Sequence, residues 1–135
     1  MNPSSVDIKD ILEAESSLGL TFGTDLFVGL EPATPDDCVT IFDTPGQPPV
    51  LTLGGQSGEG YFFPAIQIRV RNNSYTTGWD VINDIKTTLH GLNNETWNGT
   101  IYDVVKCNGE PFLLNWDENE RARFVSTYNI FRKET

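Results

Sequence analysis

A switch of hydrophobic period between residues 62 and 91 constrains this chain more than any other stretch. In Phe62-Phe63-Pro64-Ala65-Ile66-Gln67-Ile68-Arg69-Val70-Arg71-Asn72, the residues Ile66, Ile68 and Val70 alternate with polar neighbours. That is the period of a strand with one apolar face. From Ser74 onward Tyr75, Trp79, Ile82, Ile85 and Leu89 recur at intervals of three or four, so they line one side of a helix. Ser74 is placed to cap it and Gly91 to end it. A strand feeding a helix through a short polar turn gives a sheet with a helix packed on it. The other strong segments are then partners of that unit.

Upstream, Val6, Ile8, Ile11, Leu12, Ala14 and Leu18 predict a helix over residues 6–18, with Ser4 or Ser5 as cap and Gly19 as stop. Leu26-Phe27-Val28-Gly29-Leu30 reads as a short strand, and Cys38-Val39-Thr40-Ile41-Phe42-Asp43 as a second, dense in β-branching. Downstream, Asn98-Gly99 predicts a hairpin between Glu95-Thr96-Trp97 and Thr100-Ile101-Tyr102, and Asn108-Gly109 another between residues 104–107 and 111–114. Asp117-Glu118-Asn119-Glu120 is an acidic turn before a long strand over 121–131, where Phe124, Ser126, Tyr128 and Ile130 share a face. The expectation is an α+β fold. It has a mostly antiparallel sheet, a C-terminal meander beside the 62–72 strand, and two amphipathic helices packed on it. No repeat or linker divides the 135 residues, so one domain over 1–135 is expected, large enough to bury a core without staples.

Residues 44–61 break this pattern. Thr44-Pro45-Gly46-Gln47-Pro48-Pro49 opens the stretch and Gly54-Gly55-Gln56-Ser57-Gly58-Glu59-Gly60 closes it, which predicts a long flexible Pro/Gly-rich loop. Loops of that length in compact domains are usually either functional or disordered on their own, and function is the reading taken. Gly54, Gly55, Gln56, Ser57, Gly58, Glu59 and Gly60 are therefore candidate contact residues. They do not make a phosphate loop, because the Gly-Lys-Ser/Thr ending is missing and Glu59 would repel the ligand.

Nine basic against nineteen acidic residues leave a formal charge of −10, which argues against nucleic-acid binding by general electrostatics. The exceptions to the acidic character are Arg69 with Arg71 and Arg121 with Arg123, each pair at i and i+2 on one side of a strand. They read either as a solvent face with carboxylates opposite or as a subunit contact. His90, the single histidine, falls in the last helical turn, where a cation complements the dipole. Asp117, Glu118 and Glu120 lack the alternation, glycine and closing glutamate of a calcium loop. Cys38 and Cys107, the two cysteines, sit in strand-like runs and read as buried free thiols, with one disulfide as the alternative. No leader-like run opens the chain and no apolar run matches a membrane span, so synthesis in a cytosol without membrane insertion is expected. The Asn-X-Ser/Thr triplets at Asn72, Asn94 and Asn98 are then chance occurrences.

Four segments in a fixed order carry a resemblance. Cys38-Val39-Thr40-Ile41-Phe42-Asp43-Thr44-Pro45-Gly46 precedes the Pro-rich excursion, and Tyr61-Phe62-Phe63-Pro64-Ala65-Ile66-Gln67-Ile68-Arg69-Val70-Arg71 follows it. Leu89-His90-Gly91 ends the helix, and Asp117-Glu118-Asn119-Glu120-Arg121-Ala122-Arg123-Phe124-Val125-Ser126-Thr127-Tyr128 opens the last strand. Over residues 6–132 this order resembles the minor capsid or tail terminator proteins of long-tailed bacteriophages. The resemblance implies a structural virion subunit with no catalytic residues, no cofactor and no metal. It implies a ring, usually hexameric, that caps the tail tube, ends its polymerisation and joins the tail to the head connector. Its partners would be further copies of itself (monomeric before assembly), the major tail tube protein and a head-completion or connector protein. Its place would be the head–tail interface of the virion, after assembly in the host cytoplasm. Subunit or tube contacts are expected at residues 54–60 and at Arg69, Arg71, Arg121 and Arg123. Six copies would carry about −60 in formal charge, a bore through which genomic DNA slides without specific binding. Two rivals are a stand-alone acidic binding module that recognises a host or virion protein, and a small hydrolase using His90 with a carboxylate such as Asp117.

Overall fold

The switch of period is where the chain turns from sheet to helix in the computed structural model, which describes residues 1–49 and 60–134. The order is α1 (Ser4–Ala14), β1 (Leu26–Val28), β2 (Cys38–Gln47), β3 (Phe63–Asn72), α2 (Tyr75–Leu89), β4 (Asn93–Trp97), β5 (Thr100–Cys107), β6 (Phe112–Trp116) and β7 (Ala122–Glu134). Ser74 caps α2, its side chain accepting from the Thr77 N–H at 3.3 Å, and Gly91 follows the helix with φ +88°. The expected α+β architecture is present. Both helices pack on one face of a seven-stranded sheet, over a core that includes Ile8, Leu12, Ile66, Ile68, Val70, Ile82, Ile85 and Phe124.

β7, not β3, is the middle of the sheet. One edge of β7 pairs with β3 along residues 122–129; the other pairs with β6 near its start and with β5 from residue 128 onward. The thirteen residues of β7 are long enough to carry two short strands end to end. The segment at Asn108-Gly109 is therefore a step between β5 and β6 along one edge, not the expected hairpin. The Asn108 N–H donates to Thr127 O at 2.8 Å, so the step itself is held by β7. Asn98-Gly99 does form its hairpin, with φ +51° and +78°, as a tight turn between β4 and β5 requires.

Two further boundaries differ from expectation. β2 runs on through Gln47, so the excursion from the sheet begins at Pro48 rather than at Thr44. Thr44 pairs with Ala65 and Gln47 with Phe63, which sets Pro45-Gly46 opposite Pro64 alone. Such a bulge tolerates the missing proline N–H. A side chain at Gly46 would collide with the Phe63 carbonyl and lie 2.8 Å from the Pro64 Cα. Helix α1 starts earlier and stops earlier than its apolar spacing suggests. Ser5 does not cap it from outside; its N–H and hydroxyl donate to the Asp43 carboxylate at 3.0 and 2.6 Å, so a carboxylate from β2 serves the helix N-terminus. Asp7 in the same turn is fully buried, accepting from the Tyr102 hydroxyl and, at 2.7 Å, from the Asn98 amide. Burial raises the Tyr102 hydroxyl pKa first, and its bond to Asp7 raises it further.

Candidate assembly surfaces

β1 runs parallel to β2, so the chain has to travel back through residues 29–37 before β2 begins. That return segment lies over the sheet face opposite the helices, and three of the four flagged arginines hold it there. Arg71 and Arg123 are directly opposed on β3 and β7. Arg71 donates through Nη1 to Glu31 Oε1 at 3.2 Å, through Nη2 to Pro35 O at 2.6 Å and through Nε to Asp36 O at 3.1 Å. Arg123 donates to the same Glu31 oxygen from Nε and Nη2, at 3.0 and 2.8 Å. Arg121 grips Asp117 through Nε at 2.6 Å and reaches Ala33 O and Asp36 with Nη1 at 2.8 and 3.0 Å. Burial raises the Asp117 pKa, but the backbone N–H and guanidinium of Arg121 outweigh it and hold the carboxyl below its ordinary range. The bond from the Asn73 amide is the main force lowering Asp36. The strand pairs thus meet carboxylates of their own chain. Arg69 lies apart, its guanidinium 5.1 Å from the Phe42 ring centre and bonded to Gln67 at 3.2 Å.

Gly54, Gly55, Gln56, Ser57, Gly58 and Glu59 lie outside the described residues, while Gly60 is a half-buried bend ahead of β3. His90 stands just past α2, its Nδ1 accepting from the Cys107 N–H at 2.9 Å. The Asp117 carboxylate is taken up by Arg121 and the Asn119 N–H. Each rival catalytic group therefore has a structural partner of its own. Cys38 is buried and Cys107 half-buried, both free. Among the described residues no group of three His, Cys, Asp or Glu is placed to hold a metal ion, and no helix is long and apolar enough to cross a membrane.

The structure also shows an aromatic surface that the sequence reading did not single out. Tyr75 and Trp79 follow the helical spacing of core residues, yet they are 48% and 40% exposed. Their ring centres lie 5.1 and 5.9 Å from that of the buried Phe124 on β7. Gly78 permits this approach, since a Cβ there would lie 2.9 Å from the Phe124 ring. Trp116 of β6 stacks on Tyr75 at 6.1 Å, and Phe112 and Leu114 of the same strand are also exposed. β6 pairs with β7 only, leaving a free apolar strand edge of the kind that recruits another chain. A signal was available: Phe112-Leu113-Leu114-Asn115-Trp116 has no polar alternation, although it belongs to a solvated edge. On the other flank of α2, a cavity of about 170 Å³ is lined by Leu18, Leu20, Cys38, Val39, Val70 and Val81 together with the polar Asp25, Asp37, Arg71 and Asn72.

Against known proteins, the family model described as bacteriophage tail terminator protein matches residues 15–132. Among solved structures the chain is similar to a chain of the virion of a native gene transfer agent particle. The TM-score is 0.64 at 10% identity, covering 96% of this chain and 93% of that one. No curated protein matches.

Proposed function

Because this chain belongs to the bacteriophage tail terminator family, a family of structural virion proteins, we propose that it caps the tail tube, stops its polymerisation and joins it to the head connector as a ring. Its place in the virion as a tail component follows from the family. The ring, the capping and the partners are this reading's own content. The observation that carries it is the match over residues 15–132, on a fold whose two sheet margins are unlike. β1 ends the sheet on one side, and on the other β4 ends it beyond β5 while β6 flanks the start of β7. Head-to-tail contacts between unlike surfaces are what close a ring.

In this reading the contacts to neighbours and tube lie in the run 54–60 and at the half-buried Arg69 and Arg123. Arg71 and Arg121 brace the return segment behind them. The acidic surface of the ring lets DNA pass without adhering. The test is electron microscopy of particles assembled with and without this chain. Without it, tubes should overgrow their normal length and fail to join heads; adding the purified chain should restore both. Tails of normal length, joined to heads in its absence, would end the proposal.

A further inference from the structure

We propose that the aromatic ridge of Tyr75, Trp79 and Trp116 is the surface by which one copy of this chain docks on the next, seated on the cavity beside Leu18, Leu20, Val70 and Val81. This rests on the ring reading above and adds a subunit–subunit contact to those proposed there. Trp79 and Val81 are two residues apart, hence about 200° apart around α2. Ridge and cavity consequently face opposite ways along the sheet, one on the β6 side and the other on the β1 side. A protrusion and a recess so placed on one subunit make a heterologous contact, not a two-fold one.

The chemistry of the two surfaces matches as well as their placement. The ridge is aromatic and half-exposed, while the cavity joins an apolar part (Leu18, Leu20, Val70, Val81) to a polar one (Asp25, Asp37) and, at about 170 Å³, is the size of a single large side chain. The Trp97 indole N–H donates to Glu95 at 3.1 Å, but those of Trp79 and Trp116 have no partner among the described residues. Buried indoles need an acceptor. The carboxylates of Asp25 and Asp37 stand at the cavity to supply one.

The experiment is photo-crosslinking in assembled tails. Trp116→p-benzoylphenylalanine and, separately, Trp79→p-benzoylphenylalanine place the probe on the ridge, so that one survives if the other impairs folding. The expected product is a dimer of this chain, joined by mass spectrometry to residues 18–20 or 81 of the second copy. It should be lost when that copy carries Val81→Arg. A crosslink to the tube or connector protein would overturn self-docking while leaving the tail function intact, and so would a crosslink elsewhere on a second copy or none at all. Failure of the ring reading itself registers separately, in tail length.

Discussion

Replacing Glu31 with alanine tests the ion network where it is most concentrated. One oxygen of Glu31 takes three donors, one from Arg71 and two from Arg123. The Arg71 and Glu31 side chains are only 2% and 9% exposed. At 3.2 Å and an effective dielectric constant of about 20, the Coulomb attraction is about 5 kcal/mol. Desolvation offsets much of it, so the pair's net worth is far smaller than the cost of breaking it. Removing one partner of a buried pair costs about 3–5 kcal/mol. Arg71 keeps Pro35 O and Asp36 O, which places Glu31→Ala near about 3 kcal/mol. A 135-residue chain has an unfolding entropy near 0.28 kcal/mol/K, so Tm should fall by roughly 10 °C. Glu31→Gln retains the acceptor but sets an amide donor where Oε2 is buried without a partner, and should cost about 1–2 kcal/mol. Urea titration followed by circular dichroism measures both, as a lower midpoint at unchanged slope. A loss under about 1 kcal/mol, or one that halves in high salt, would show a solvent-screened pair and refute the argument.

Gly46→Ala should cost toward the upper end of the usual range of about 0.5–3 kcal/mol, because the collision is with backbone that has no rotamer to escape into. Amide shifts should move at residues 44–47 and 63–65 alone; an unperturbed spectrum would deny the bulge. Asp117 carries an acid-side dependence. Its folded pKa is below its unfolded one, so its contribution is complete above the ordinary carboxylate range and is lost as pH falls through the folded value. In Asp117→Asn that part of the acid slope should vanish, and an unchanged stability–pH curve would count against the Arg121 contacts.

The elements were legible wherever a local rule suffices. Alternation at Ile66, Ile68 and Val70, the Ser74 cap and the Asn98-Gly99 turn depend only on neighbours a few residues away. The errors arose where a distant group took over. Ser5 is served by Asp43, thirty-eight residues on, so α1 begins where a carboxylate waits and not where a side-chain cap stands. Pro45 and Gly46 read as loop, yet pairing with β3 carries them on as strand. Asn108-Gly109 has the residues of a hairpin but joins strands that both prefer β7. The arginines were visible as pairs. Their partners were not, because the return segment 29–37 reaches them only through the parallel pairing of β1 with β2.

By itself, then, the sequence determined the helices, most strands, the apolar faces and the family, because periodicity and segment order are properties of the chain alone. The tertiary structure decided which strand is central, which charges are neutralised within the subunit, and which aromatic residues remain uncovered. Those outcomes depend on strand order. Strand order follows from packing of the whole sheet and not from any one segment.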